Sequence, residues 1–451
     1  MKLTRRDFVK YGALAAAGLG LQNPVAQAAA RKAKQALAPS IPNAGEKVIV
    51  VINLFGGNDG LNTVIPTTTP GQYDDYLALR PLSGIGFDLS ELAATNLDGS
   101  FALRPEMMPF KQLWDTGNLA VINGVGIPQN ARHKYDHNAQ QNTFQSCDII
   151  GSVLSVPTGW MGRYCDGAPL GQIPPGIDLG GGRLMVSGNV RQPVSIYSLN
   201  DFTLKITADA AEKAIRRSTY EAIMNTPVPE GGVGEQERLY RKDALAQSDA
   251  IFAAIADYPT PPYGDPASPY RNTSFHRQLQ EAAKLIYADI GAQCIALGMG
   301  GFDSHGDQEA DVNGLPYHGY LWDRITSGVK ALYDDLTTFL EPVRPGISDR
   351  VLIVTISEFG RTPWQNTDLG TDHGIASSAF VVGTSANVNP GVYGTYPGLK
   401  EGDFGNEQGL LTTVDFRSVY ATIAANFLGV DPEIIVDPNH QEPDFPLLTF
   451  C

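Results

Sequence analysis

Cysteine is scarce in this sequence, and its scarcity excludes one class of protein at once. The chain has 451 residues and four cysteines, which are Cys147, Cys165, Cys294 and Cys451. A disulfide-stapled scaffold needs a higher density of cysteine, and neither a CxxC pair nor a His/Cys zinc pattern occurs here. Cys294 lies in an apolar run, which predicts a buried thiol. Cys147 and Cys165 could pair in an oxidising compartment.

Positive charge is also in short supply. Lysine and arginine number 33 against 48 acidic residues, which gives a net charge of −15. Residues 1–28 contribute +3, so the remainder of the chain carries −18. Such an acidic surface excludes nucleic acid and anionic lipid as partners. It attracts divalent cations, and an anionic substrate would need a local cationic pocket.

The first 28 residues match an export signal. Thr4 to Lys10 contains the twin-arginine pair Arg5-Arg6, an apolar run extends from Tyr11 to Leu21, and Ala26-Gln27-Ala28 is a small-residue cleavage site. The apolar run is too short to span a bilayer. We expect the twin-arginine translocase to export the chain, which then becomes a periplasmic or secreted protein without a membrane span. Retention of the segment as an anchor is the alternative.

The rest of the chain predicts an α/β domain. Residues 29–45 indicate a flexible lead-in, and residues 46–451 alternate apolar strands with amphipathic helices. This alternation is typical of a doubly wound, mostly parallel sheet. The predicted strands are Lys47 to Phe55, Leu119 to Asn123, Ile295 to Gly300, Val351 to Ile356 and Ala379 to Gly383. The main predicted helices are Pro105 to Thr116, Phe275 to Ile290, Tyr320 to Leu340 and Asp415 to Leu428.

Residues 150–270 break this rhythm with glycine and proline. They predict an insertion or cap beside the strand ends. Within it we expect a hairpin of Arg183 to Ser187 with Pro193 to Ser198, and two helices over Ala208 to Asn225 and Gly234 to Ala256.

Acidic and histidine side chains follow several of the predicted strands, at the edge where α/β sheets bind ligands. Carboxylates and imidazoles from several strand ends are ligands suited to a divalent ion such as Zn²⁺, Ca²⁺, Mg²⁺ or Mn²⁺. The candidate metal ligands are Asp59, Asp303, His305, Glu358, Asp372 and His373.

Each candidate also has a structural explanation. Asp59 could cap its own Asn-Asp-Gly turn, and Asp303 with His305 could form a hydrogen-bonded loop pair. Glu358 could form an ion pair with Arg361. Asp372-His373 can converge on one ion only if the backbone is irregular, which the flanking glycines allow.

Basic residues supply the candidate catalytic groups. Arg361 could hold a tetrahedral anion by bidentate contacts, and Arg132, His133 and Lys134 lie near the second strand. His133 and His137 are four residues apart. If a helix begins at residue 132, both imidazoles face one side, a spacing that suits a metal; a solvated helix face explains it as well.

Together these motifs resemble an exported bacterial family catalogued as domain of unknown function 1501. The resemblance rests on the twin-arginine leader and on the runs Leu54 to Asn62, Gly159 to Tyr164, Gly301 to Gln308, Ser357 to Thr362 and Gly370 to Gly374. That family in turn is similar to the alkaline phosphatase and sulfatase superfamily, whose members hydrolyse phosphate or sulfate esters with one or two metal ions.

The resemblance implies an alkaline-phosphatase-like fold and a function. Asp59 resembles the superfamily's first-strand metal ligand, and Asp372-His373 and Asp303 with His305 resemble its Asp/His pairs. No hydroxyl matches the superfamily's nucleophile, which comes from a helix start after the second strand. We therefore expect an exported metal-dependent hydrolase of phosphate or sulfate esters, with a small anionic or ester substrate and with metal-activated water or an unidentified group as nucleophile. The alternative is a non-catalytic binding or structural protein on a degenerate enzyme fold.

Overall fold

The computed structural model describes residues 47–128, 131, 133–149, 158–169, 171–199, 210–227, 233–404, 408–436 and 445–451. The export signal of residues 1–28 and the lead-in of residues 29–45 lie outside the described residues and stay predictions. The same is true of Arg132.

Among the described residues, nine strands form one central sheet and four form two small ribbons. The strands are β1 (Val48–Leu54), β2 (Val64–Pro66), β3 (Phe101–Leu103), β4 (Leu119–Gly126), β5 (Gly176–Asp178), β6 (Val194–Ser195), β7 (Cys294–Met299), β8 (Asp311–Val312), β9 (Leu315–Pro316), β10 (Val351–Ser357), β11 (Ser377–Val382), β12 (Gly391–Tyr393) and β13 (Val414–Asp415).

Helices of the described residues surround the sheet. They are α1 (Gln72–Leu79), α2 (Leu89–Leu92), α3 (Met108–Asp115), α4 (His137–Ser146), α5 (Trp160–Gly167), α6 (Ala210–Asn225), α7 (Val233–Ala254), α8 (Ser274–Ala288), α9 (Tyr317–Asp334), α10 (Phe416–Thr422) and α11 (Pro432–Val436). A π-helical turn, Asp335–Leu340, continues α9, and another, Ile423–Phe427, continues α10.

The central sheet is mostly parallel, as predicted. Its strand order is β12-β4-β11-β10-β1-β7-β5-β6, and β13 also pairs with β4. β1 lies in the middle, parallel to β10 and β7. β11 pairs antiparallel with both β10 and β4, so it runs against the other strands of this sheet.

Residues of β1 alternate between two hydrophobic cores, which explains its continuous apolar sequence. Val50 and Ile52 pack on one face with side chains of α3, α8 and α9. Ile49 and Val51 pack on the other with side chains of α4, α5, α10 and α11. Burial of each such side chain is worth about 1.5–3 kcal/mol, so helices on both faces hold the sheet in place.

The helix predictions match closely where capping residues are present. Asp415 caps α10 by accepting a hydrogen bond from the backbone nitrogen of Arg417 at 2.9 Å. The helix predicted from Phe275 to Ile290 is α8, and Thr273 caps it through the nitrogen of His276. Side-chain oxygens at the N-cap satisfy backbone donors that the helix leaves free.

The stretch 150–270 differs in part from its prediction. β5 and β6 extend the central sheet beyond β7, so this portion is built into the sheet. The predicted hairpin is wrong, because β6 pairs parallel with β5 and Arg183 to Ser187 forms turns. The two predicted helices are present as α6 and α7.

The four cysteines are free thiols. Cys165 lies next to Cys294 rather than Cys147, and burial raises the pKa of Cys294 well above its usual range. The suggested pairing of Cys147 with Cys165 is therefore not formed.

Within the part of the chain that the structure describes, no helix is both long enough and apolar enough to cross a bilayer.

Candidate metal centre

Three histidines and one aspartate meet at the carboxyl edge of the sheet. Asp303 and His305 follow β7, His137 is the first residue of α4, and His373 precedes β11. Their side chains remain 22–47% exposed, so the cluster opens to solvent. These four residues are called the His/Asp cluster below.

Asp303 lies at the centre of the His/Asp cluster. Its Oδ1 is 3.0 Å from Nε2 of His305, 3.3 Å from Nε2 of His373 and 3.4 Å from Nε2 of His137. His137, Asp303 and His373 offer ligand atoms that all lie within 4.8 Å of one another. A single ion can therefore be reached by several side chains at once.

Each imidazole turns its other nitrogen outward to a hydrogen-bond acceptor. Nδ1 of His137 is 3.1 Å from Oε1 of Glu358, and Nδ1 of His305 is 2.9 Å from Oδ1 of Asp372. Nδ1 of His373 is 2.8 Å from the carbonyl oxygen of Tyr135. Ionised carboxylates and carbonyls only accept, so all three Nδ1 atoms carry a proton, and in the neutral imidazoles the lone pair lies on Nε2.

The inward Nε2 atoms face Oδ1 of Asp303 and one another. In the neutral tautomers, Nε2 of His305 and Nε2 of His373 lie 3.0 Å apart with their lone pairs facing each other. Within the described part of the chain, the buried Nε2 of His137 has no hydrogen-bond partner. A buried polar atom without a partner costs free energy, and a cation at this point would satisfy all three. The donor set therefore fits a metal ion.

Asp136 determines where helix α4 begins and thus where His137 points. Its side chain accepts from the backbone nitrogen of Ala139 at 2.7 Å, which is an N-cap contact. The helix starts at His137, whereas His133 lies before it, exposed and with φ of 54°. The prediction that His133 and His137 share a helical face is wrong. His137 alone joins the cluster.

Glu358 was predicted as a ligand, and the structure gives it a different position. Its buried Oε1 accepts from the backbone nitrogen of Gly56 at 2.7 Å and from Gln141 at 3.3 Å, besides contacting His137. With these contacts Glu358 orients the imidazole of His137. Outer carboxylates commonly fix metal-ligating histidines in this way. Gly56 must be glycine here, because its φ is 117° and a Cβ would lie 2.3 Å from the nitrogen of Asp303.

Arg361 is fully buried, which corrects its predicted role in holding a substrate anion. Nε donates to the oxygen of Gly57 at 3.0 Å, and Nη1 to that of Thr371 at 2.9 Å. Nη2 contacts Asp303 and the carbonyls of Gly56 and Phe302. The guanidinium thus positions Asp303 and holds the surrounding loops together, and its burial separates it from substrate.

Asp59 lies apart from the His/Asp cluster, which corrects its prediction as a metal ligand. Both of its oxygens accept from Arg80, at 2.5 and 2.9 Å, and Gln308 donates to Oδ2 at 2.6 Å. Asp59 is 1% exposed and Arg80 is completely buried. These contacts occupy the carboxylate in a buried ion pair. Charge and spacing alone could not distinguish the two roles.

Gln308 connects the ion pair to the cluster. While its amide donates to Asp59, its Oε1 accepts from Ser304 at 3.1 Å and from Thr371 at 2.7 Å. Ser304 separates Asp303 from His305, and Thr371 precedes Asp372-His373. The ion pair therefore supports both loops that carry cluster residues.

Local charges set the protonation of the cluster. Burial alone would raise the pKa of Asp303, but the Arg361 guanidinium outweighs it and lowers the pKa to about 2. The hydrogen bond to Glu358 raises the pKa of His137, whereas partial burial lowers the pKa of His373. At neutral pH an ionised Asp303 and a neutral His373 are the forms that ligate metals.

The predicted basic groups near α4 have different outcomes. Arg132 lies outside the described residues, and His133 is outside the cluster. Lys134 is partly exposed and has interactions of its own.

The sequence also matches a protein family. The sequence model of the family described as "Protein of unknown function (DUF1501)" matches residues 151–444. The chain belongs to the DUF1501 family. Asp303, His305 and His373 lie inside the region matched to DUF1501, and His137 lies before it.

The chain also has a distant structural similarity to a solved complex among the structures that match it. That complex is described as Ps i-CgsB in complex with k-i-k-neocarrahexaose, with a TM-score of 0.36 and 10% sequence identity over 87% of this chain and 74% of that one. No curated protein sequence matches the chain.

Proposed function

We propose that this DUF1501 protein is a metal-dependent hydrolase of phosphate or sulfate esters. The observation that carries the proposal is the convergence of three imidazole Nε2 atoms on Oδ1 of Asp303, at 3.0–3.4 Å. Asp303, His137, His305 and His373 would hold the ion. Such an ion polarises an ester and makes water a better nucleophile at neutral pH.

The side chains of the chain bind and orient the reacting groups. Arg361 fixes Asp303, and Glu358 fixes His137, so the donor atoms are in place before a substrate arrives. Preorganised donors of this kind need little rearrangement during the reaction. His305 and Asp372 are about half exposed, at 47% and 52%, so substrate and water can approach from their side.

The choice of ester follows from the resemblance to alkaline phosphatases and sulfatases. It also fits the charges at the site. Arg361 is occupied by its described contacts, so the bound ion would be the positive charge that receives an anionic group. The twin-arginine signal adds that the chain acts in the periplasm or outside the cell, after folding in the cytoplasm.

Metal content and turnover test the proposal together. Protein purified after folding in the cytoplasm should contain one equivalent of divalent metal by elemental analysis. It should hydrolyse an aryl phosphate or an aryl sulfate, and removal of metal by a chelator should abolish turnover. Asp372→Ala should lower turnover while the protein stays folded.

A different result would favour the alternative function. Stoichiometric metal without turnover of either ester class would indicate a binding or structural protein on a degenerate enzyme fold. Protein without bound metal, which also fails to bind metal when it is added, would contradict both the hydrolase and the metal site.

A further inference from the structure

The identity of the ion can be taken further, on the assumption that the proposed metal site is correct. We propose that the His/Asp cluster is a site selective for a nitrogen-preferring transition ion of the Zn²⁺ type, excluding Mg²⁺ and Ca²⁺, with His137, Asp303 and His373 as its mutually closest donors. We further infer that Glu358, Asp372 and the Tyr135 carbonyl create this selectivity by fixing the orientation of the three histidines.

The outward hydrogen bonds determine the donor atoms. Because Glu358, Asp372 and the Tyr135 carbonyl accept from Nδ1 of the three imidazoles, the Nε2 lone pairs all point inward. Moving the proton from Nδ1 to Nε2 would set a lone pair against each acceptor and turn a proton toward the centre. The outer contacts therefore keep three nitrogens available to one ion.

The separations of the three Nε2 atoms from Asp303 match those around a small tetrahedral ion. Zinc–ligand bonds of about 2.0–2.1 Å place neighbouring ligands about 3.3 Å apart in a tetrahedron. The Nε2 atoms of His137, His305 and His373 lie 3.4, 3.0 and 3.3 Å from Oδ1 of Asp303. Small adjustments of these side chains suffice to bind such an ion.

The donor chemistry excludes the hard cations. Mg²⁺ and Ca²⁺ take oxygen ligands, and Ca²⁺ takes six to eight of them. Here three of the four donors are imidazole nitrogens, which suit Zn²⁺ and other late first-row ions. Two further carboxylates that contact the cluster, Glu358 and Asp372, already accept hydrogen bonds from its histidines.

Metal titration of the full chain tests selectivity directly. Protein freed of metal with a chelator is titrated with Co²⁺, whose visible absorption is strong in tetrahedral sites and weak in six-coordinate ones. We expect a strong band at one equivalent, which Zn²⁺ removes and a large excess of Mg²⁺ or Ca²⁺ leaves unchanged.

Matched variants assign the ligands. His137→Asn should abolish the band, and His133→Asn should preserve it. The second change removes an exposed imidazole only four residues away, and asparagine tolerates the φ of 54° at that position.

A second pair tests the outer contacts at exposed positions, where folding is not at risk. Asp372→Ala removes the acceptor of His305 and should weaken Co²⁺ and Zn²⁺ binding about 10–100-fold. Asp368→Ala removes the same charge from an exposed residue of the same loop and should leave affinity unchanged.

The outcomes separate this inference from the proposed function. Binding of Mg²⁺ or Ca²⁺ as tight as that of Zn²⁺ would overturn the selectivity and leave a metal-dependent hydrolase standing. Zn²⁺ binding undiminished in His137→Asn would overturn the assigned donors. A chain that binds none of these ions would overturn both proposals.

Discussion

Arg361 donates to Oδ1 of Asp303 across 2.5 Å, and the same guanidinium donates to carbonyl oxygens from three separate loops. The arginine side chain is fully buried, whereas Asp303 is 47% exposed. The buried guanidinium of Arg361 thus links the protein interior to Asp303, the central residue of the His/Asp cluster.

Arg361→Ala should destabilise the fold strongly. The variant leaves the buried carbonyl oxygens of Gly57 and Thr371 without their donor, at about 1–3 kcal/mol for each, which urea unfolding would measure. Arg271→Ala removes an exposed ion pair to Asp323 and should cost at most about 1 kcal/mol. Equal losses in both variants would contradict the role given to Arg361.

Zinc should stabilise the chain by binding its folded form. A ligand at about 100 times its dissociation constant adds about 2.7 kcal/mol to the free energy of unfolding. Urea unfolding with and without Zn²⁺ would measure the difference. His373→Asn should lose most of it, so an undiminished gain in that variant would show that Zn²⁺ acts elsewhere.

The buried pair of Asp59 and Arg80 predicts a dependence of stability on acid. Burial alone would raise the pKa of Asp59, but Arg80 outweighs it and lowers the pKa from 3.8 to about 2. Because the pKa is depressed in the folded state, the stabilisation is present above the unfolded pKa. It is lost as pH falls from about 4 to about 2, and amounts to about 2–3 kcal/mol.

Asp59→Asn isolates this contribution. The free energy of unfolding of the variant, measured with urea, should fall less steeply over the same pH range than that of the wild type. Asp303 titrates in the same window but is present in both proteins, so it cancels in the comparison. Identical pH profiles would contradict the assignment.

Asp335 is buried and accepts a second set of hydrogen bonds, outside the His/Asp cluster. In the π-helical turn after α9 its carboxylate accepts from Tyr270 at 2.8 Å and from Tyr258 and Thr260. Asp335→Ala leaves these hydroxyls without their acceptor, at about 1–3 kcal/mol for each buried group. The adjacent Asp334→Ala breaks only a partly exposed contact with Lys330 and should cost about 0.5 kcal/mol or less in urea unfolding.

Much of the fold could be predicted because its strands are continuous apolar runs. β1, β7 and β10 are buried on both faces, and their sequences indicate this directly. The direction of β11 could not be read in the same way, because an apolar run has the same pattern in either direction. The pairing of β6 with β5 depends on contacts that two short strands do not encode locally.

The sequence predicted which types of residue form the candidate site better than it predicted the role of each residue. Asp303, His305 and His373 do meet, but Asp59 pairs with an arginine 21 residues later, and nothing in its own motif names that partner. The sequence spacing indicated His137 only as one member of a helical pair with His133. Asp136, directly before His137, is a capping residue, and it indicates that the helix begins at His137 and not at residue 132.

The reversed direction of β11 decides which residues can reach the cluster. A strand that is parallel to its neighbours begins at the edge of the sheet opposite to the edge where those neighbours end. β11 runs the other way, so the segment that enters it, Asp372-His373, arrives beside the exit of β10. Had this six-residue strand been parallel, its entry would lie about 20 Å away, on the far side of the molecule. The location of the histidine that donates to Tyr135 is thus a consequence of chain topology.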